Sequence, residues 1–267
     1  MAPTAPIKPI KIYGHVAGPH PWKVVIVLKE LQIPYEIAFF TADEMKVTPY
    51  IDICPNGRCP TIVDPNTGIT LWEVIAIYPI LSGTIIEYLE DNYDCDAKLK
   101  YTTFPEKYQQ RNWKDYQIAG HDVFLGQKAY FTMVSTAGVN SVLWLQKWFR
   151  FELIRTQFHT NQDISSVHEH YGNMVRWVLG VIERQLLKTG KPYLVGDKCT
   201  YADLMYVPFH VVLPDKLMRN INDDFDQEWK EKYPRCYDWN ARLMKRDSVK
   251  EALVEKYKAM EAAGWPR

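Results

Sequence analysis

Cys54-Pro55-Asn56-Gly57-Arg58-Cys59-Pro60-Thr61-Ile62-Val63-Asp64, then Gly68-Ile69-Thr70-Leu71-Trp72-Glu73, then Ser82-Gly83-Thr84-Ile85-Ile86-Glu87-Tyr88-Leu89, is the stretch from which the rest of the chain can be placed. It reads as turn, short strand, turn, short strand and helix. Asn56-Gly57 is a turn signal, because Asn tolerates and Gly supplies positive φ. Thr61-Ile62-Val63 is β-branched and stops at Asp64-Pro65-Asn66-Thr67-Gly68, a connection dense in strand breakers. Ile69 to Trp72 is the returning strand. Ser82 is a good N-cap for the helix that follows, and Thr84 with Glu87 is an alternative capping pair.

Upstream, Lys8 to Tyr13 alternates loosely and reads as a first strand. Gly18-Pro19-His20-Pro21-Trp22-Lys23 reads as a loop feeding a helix over Val24 to Leu31. The β-branched run in that segment favours a strand on propensity alone. Tyr35 to Phe40 is a second strand, followed by a polar segment and a short helical turn near Tyr50 to Ile53. Downstream, Asp91 to Ala97 is polar and closes the first unit. No convincing strand pair follows it. Phe104-Pro105-Glu106 opens a helix carrying Trp113, Tyr116, Gln117 and Gly120. Val167 to Leu187 is a long amphipathic helix with Tyr171, Met174, Val175, Val178 and Ile182 on one side. Thr200 and Asp203 make a capping box, with Asp in place of the usual Glu or Gln. Pro234 to Arg246 and Ser248 to Ala263 read as closing helices.

Taken together, these segments resemble the glutathione S-transferases. In that family the decisive stretch runs Asn-Pro-Asn-Gly-Arg-Val-Pro-Thr-Leu-Val-Asp, then Leu-Trp-Glu-Ser-Gly-Ala-Ile. The flavour is that of the fungal branch related to the yeast nitrogen-catabolite regulator. Tyr193-Leu194-Val195-Gly196-Asp197 through Asp203 is similar to the family as well. The resemblance implies an α/β thioredoxin-like N-terminal domain, residues 1–94, followed by an all-α C-terminal domain, residues 104–267. It places a helix at Val24 to Leu31 inside a βαβ unit, whose crossover should be right-handed. It also implies glutathione as co-substrate, a small-molecule electrophile as partner, and a homodimer.

Site residues follow from the same resemblance. Cys59-Pro60 stands where the family has a cis-proline, preceded by a residue whose backbone pairs with the cysteine of glutathione like a strand edge. The family has Val or Ile where Cys59 stands, and a small buried side chain fits that backbone role, with a reactive thiol as the alternative. Glu73 and Ser82 resemble the Glu-Ser pair that holds the γ-glutamyl end. Glu accepts from an ammonium, and a Ser hydroxyl at a helix N-terminus binds a carboxylate. Arg58 and Lys46 are candidates for the glycyl carboxylate, against a reading as solvated cations. His20 replaces the Asn of the fungal pattern Gly-Pro-Asn-Pro-Trp-Lys-Val. It can stabilise a thiolate by hydrogen bond or charge, or act as acid or base. His121, Phe124 and Tyr130 stand where the family lines the second-substrate pocket, although aromatics there serve equally as core.

Two segments depart from the pattern. Val74 to Leu81 separates Glu73 from Ser82, which are adjacent in the family. A competing register takes Glu73-Val74-Ile75-Ala76-Ile77 as the motif and loses the Ser. The insertion reading keeps the pattern from Ser82 onward unbroken. Val134 to Gln157, with Trp144, Trp148, Phe149 and Phe151, is extra and has helical Leu/Trp/Phe spacing. Both begin with Val and are apolar, so translated introns are an alternative to genuine insertions.

Bulk properties narrow the classes. The 267 residues carry 32 basic and 32 acidic side chains. A zero net charge without a basic field argues against a nucleic-acid partner or a membrane-surface role. No apolar run reaches spanning length. The N-terminus has neither a basic region nor an apolar core, so a secretory signal is not expected. Five scattered cysteines without Cys-x-x-Cys fit a reducing, cytoplasmic setting and no metal site. The expected activity is addition of the glutathione thiolate to a small electrophile, in keeping with fungal secondary metabolism. Glutathione-dependent cis/trans isomerisation of an olefin is one alternative, and a non-catalytic glutathione-binding or regulatory protein is another.

Overall fold

The structure is a computed structural model that describes residues 6–73, 83–136, 164–219 and 221–265. Four strands form one mixed sheet in the order β2-β1-β3-β4. β1 (Ile10–Gly14) runs parallel to β2 (Tyr35–Phe39), with Ile12 opposite Ile37. β3 (Thr61–Asp64) lies antiparallel to β1, and β4 (Ile69–Trp72) antiparallel to β3. Between β1 and β2, α1 (Pro19–Glu30) makes the crossover. α2 (Tyr50–Ile53) precedes β3, and α3 (Thr84–Tyr93) follows β4. This is the thioredoxin-like order expected from the sequence.

α1 starts earlier than its sequence predicts, and this changes the setting of His20. Pro19 and Pro21 make residues 18–23 read as a loop. In the structure Pro19 is the first residue of the helix. Proline is acceptable there because the N–H groups of the first turn have no intrahelical acceptor. The β-branched run Val24-Val25-Ile26-Val27 is helical because it is buried on all sides, each residue at 1% exposure or less. Tertiary burial overrides strand propensity here.

The remaining elements among the described residues are helical. α4 (Glu106–Tyr116) passes through a π-turn, Gln117–His121, into α5 (Asp122–Thr136). α6 (Ser165–Thr189) buries Gly172, Val175, Val178, Leu179, Ile182 and Leu186. α7 (Tyr201–Leu204) begins at the expected box: the Thr200 N–H and hydroxyl both donate to Asp203 Oδ2 at 2.9 Å. Asp203 also accepts from the Leu194 N–H and the Trp239 indole. α8 (Val207–His210) leads to a second π-turn, Leu213–Met218, then α9 (Phe225–Lys232), α10 (Pro234–Met244) and α11 (Asp247–Ala262).

One apolar core runs from the sheet (Ile10, Ile12, Ile62) through α1 into α6, α7 and α10. The α-region therefore packs directly on the crossover helix. Most of the two extra segments, 74–81 and 134–157, lies outside the described residues, as does Ser82. No helix among the described residues is long and apolar enough to cross a membrane.

Candidate functional site

The strip of residues 54–73 is organised by its turns. Gly57 has φ +56°, and a Cβ there would stand 2.6 Å from the Met45 carbonyl oxygen, so only glycine fits. The Lys46 ammonium donates to the Gly57 and Asn56 carbonyls at 2.6 and 3.2 Å. Burial and the charge of Arg58 lower its pKa. Lys46 and Arg58 thus share one rim. Tyr50 sits beneath it and donates to the Arg58 carbonyl at 2.5 Å.

The Cys59–Pro60 bond is cis and precedes the first ladder residue, Thr61, so the Cys59 main chain stands clear of the β1–β3 pairing. Burial pushes the Cys59 thiol up to about 12, against hydrogen bonding from the His15 main chain. The side chain is an inert packing group, and the loop after β1 lies directly against the cis-proline corner. Glu73 donates its N–H to the Pro60 carbonyl at 3.1 Å and is 3% exposed.

The expected cap of α3 is corrected. Glu87 closes no box with Thr84. Its carboxylate pairs with Lys114, and Gly83 is the N-cap residue. The first-turn N–H of Ile85 donates to Glu73 Oε1 at 3.1 Å. Glu73 therefore caps the helix from across the segment 74–82, and the chain returns close to where it left.

At the other side of the β1–α1 loop, the two regions meet through polar side chains. Gly14 allows this approach: a Cβ there would lie 2.6 Å from the Pro21 ring. The Trp22 indole donates to the Val16 carbonyl at 2.9 Å and pins the loop. His20 Nε2 lies 2.9 and 3.0 Å from the two carboxylate oxygens of Asp122. The Lys23 ammonium, 2% exposed, reaches Asp122 Oδ2 at 3.0 Å and Gln117 Oε1 at 3.1 Å. Phe209 stands edge-on to His20 at 5.3 Å.

Burial would raise the Asp122 pKa, but the charges of His20 and Lys23 outweigh it and hold the carboxyl well below its usual range. An ionised carboxylate only accepts, so His20 Nε2 carries the proton, and Nδ1 of the neutral ring bears the lone pair.

The expectation that His121 lines a pocket is corrected. It is fully buried, 3.0 Å from His210 Nε2, with Tyr206 and Phe209 around it. Burial and the neighbouring His210 hold His121 far below its usual range. Burial brings His210 down to about 3, although its contact with Asn240 works the other way. Both are neutral, and between the two Nε2 atoms one donates while the other accepts. Phe124 packs half-buried against the core, and Tyr130 is buried with its ring 5.0 Å from Phe131.

Sequence reasoning gave neither Asp122 nor Lys23 a role in the site. The Lys beside His20-Pro21-Trp22 was the local signal; burial of that Lys and the π-turn before Asp122 appear only in the structure. π-turns recur at functional sites because the extra residue turns the following side chains.

Comparison with known proteins adds the following. The family described as "Glutathione S-transferase, N-terminal domain" matches residues 17–92, and "Glutathione S-transferase, C-terminal domain" matches residues 149–256. The glutathione S-transferase-like protein OpS6 of Beauveria bassiana is 34% identical over 94% of this chain and 98% of its own length. Glutathione S-transferase 2 of Schizosaccharomyces pombe is 36% identical over 94% and 97%. Among solved structures, the glutathione transferase URE2P8 of Phanerochaete chrysosporium with oxidized glutathione superposes with TM-score 0.75. It is 26% identical, covering 97% of this chain and 99% of that one.

Proposed function

Because the chain belongs to the glutathione S-transferase family, we propose that it binds glutathione on the strip of residues 54–73 and adds the thiol to a small electrophile. The carrying observation is the His20–Asp122 contact, which sets a histidine of fixed tautomer in the first turn of α1. The loop before that turn abuts the cis-proline corner through His15 and Cys59.

The residues present fit the tripeptide. The Cys59 main chain stands outside the sheet ladder and is free to pair as a strand edge. Lys46 and Arg58 give a cationic rim for a carboxylate, and Glu73 gives an anion for an ammonium at the start of α3. Glutathione supplies a thiol whose sulfur forms the new bond to carbon, the electron pair passing to the conjugated system or the departing group. His20 accepts the thiol proton at Nδ1. Asp122 holds the resulting imidazolium through Nε2–H, and Lys23 keeps Asp122 ionised throughout. Phe209 packs edge-on against the ring and holds its orientation, while Trp22 pins the loop before it.

Calorimetric titration with glutathione tests the first half: binding at millimolar affinity or better is expected, about −4 kcal/mol. His20→Ala tests the second. Turnover with an activated aryl halide or unsaturated ketone should fall about 10²-fold, with glutathione affinity unchanged. Unchanged turnover would remove His20 from the chemistry. Binding without turnover in the wild type would favour the regulatory reading.

A further inference from the structure

Gln117 is fully buried in the π-turn before α5 and takes no direct part in the proton transfer at His20. Its Oε1 accepts from the Lys23 ammonium at 3.1 Å, while Asp122 Oδ2 accepts from the same ammonium at 3.0 Å. The Phe209 ring lies 5.0 Å from that nitrogen and also packs on His20 and His121, at 5.3 and 5.4 Å.

The polar contacts continue behind Gln117. Its Nε2 lies 3.5 Å from His121 Nδ1, His121 Nε2 lies 3.0 Å from His210 Nε2, and His210 Nδ1 lies 3.3 Å from Asn240 Oδ1. The series joins α1, the π-turn, α8 and α10. Gln117, His121 and His210 are each 2% exposed or less.

Lys23 sets the sense of every link. An ammonium only donates, so the Gln117 oxygen faces Lys23 and its NH2 group faces His121. Burial keeps His121 neutral, so its Nδ1 accepts and its proton is on Nε2. That proton is donated to His210 Nε2. The proton of neutral His210 is then on Nδ1, where Asn240 Oδ1 accepts it. All the donors point away from Lys23, and the series ends on an oxygen. With the Gln117 amide turned round, its NH2 would face the ammonium and a buried Lys23 N–H would lose its acceptor, which is unfavourable. The two histidines are therefore held in opposite tautomers and brace the amide from behind.

A neutral second acceptor suits this position. When His20 takes up a proton, Asp122 is shared between an imidazolium and an ammonium, and its hold on Lys23 weakens. Gln117 retains the ammonium without adding a charge that competes with Asp122. We propose that Gln117 is a positioning residue for His20: braced by His121, His210 and Asn240 with its oxygen toward Lys23, it keeps the ammonium against Asp122 while His20 accepts the thiol proton. The proposal rests on the reading of His20 as the base.

The first measurement needs neither variant nor substrate. In NMR spectra of the isotope-labelled histidine rings of the wild type at neutral pH, His121 should carry its proton on Nε2 and His210 on Nδ1. Each ring is assigned by the signal lost on its substitution to Gln. Gln117→Glu keeps an acceptor for Lys23 but has no N–H for His121, so both tautomers should reverse. Gln117→Met matches the side chain in length and removes only its polar end. It should lower kcat about tenfold, with the KM for glutathione within about twofold. A side chain that only fills space would leave kcat alone. Any other pair of tautomers in the wild type, or tautomers unmoved in Gln117→Glu, overturn the brace and the proposal with it. Should Gln117→Glu not fold, the wild-type spectrum and Gln117→Met decide. An unchanged kcat in Gln117→Met overturns the positioning role, and leaves His20 as the base where His20→Ala loses turnover. If His20→Ala keeps full turnover, the His20 reading falls and the positioning role falls with it.

Discussion

The strip of residues 54–73 and the junction of His20, Lys23 and Asp122 are two polar seams of one fold, built from different materials. The strip is made of local geometry: a glycine at positive φ, a cis X–Pro bond, a hairpin and a main chain left outside the ladder. At Cys59 the main chain rather than the side chain is the expected contact, so Cys can stand there where the family has Val or Ile. The junction is made of side-chain charge, with partners about a hundred residues apart: 102 for His20–Asp122 and 99 for Lys23–Asp122. None of its members is replaceable alone. The strip's shape comes from backbone geometry that many sequences can adopt, whereas the junction depends on one carboxylate placed between an imidazole and an ammonium.

The largest effect expected from this contrast is Asp122→Ala. It leaves the buried Lys23 without its counter-ion and removes the acceptor of His20. A loss of about 3–5 kcal/mol is expected, measured as the midpoint shift in urea unfolding. A loss below 1 kcal/mol would mean that water enters the junction and that its partners are not obligatory.

Next comes acid lability. His210 stays neutral in the folded state down to about pH 3, and His121 is likewise held low. The unfolded chain takes up those protons below about 6.5. Stability contributed by the pair is thus fully present above that pH and lost as pH falls toward 3, at up to about 1.4 kcal/mol per pH unit for each histidine. His210→Gln should flatten the slope of unfolding free energy between pH 6.5 and 5. An unchanged slope assigns the lability to other groups.

Two smaller effects concern the strip. Deleting residues 74–81 should leave glutathione affinity within a few-fold, because Glu73 already meets the first turn of α3 through Ile85. Loss of binding in a folded deletion variant would make the segment part of the site and the register at Glu73 wrong. Cys59→Val should change glutathione affinity by less than about twofold, since that residue is expected to act through its main chain. In thiol titration of the folded wild type, the exposed Cys95 should react first and the fully buried Cys236 among the last, with Cys59 also slow.

The sequence by itself determined the β3–β4 hairpin and the capping box at Thr200, which are written in residues a few positions apart where turn chemistry and capping act; the cis-proline corner and the thioredoxin-like order came from the family resemblance. It misread the start of α1, because Pro19 and Pro21 mark both loops and helix first turns, and only burial of Val24 to Val27 decides between them. It set His121 at a pocket and gave Asp122 no role, because a π-turn of one extra residue reassigns which of two neighbours faces α1 and which faces His210. Whether a histidine and a lysine meet one carboxylate a hundred residues away is fixed by packing. Those contacts exist only once the helices have docked, because neither partner carries any local signal of the other.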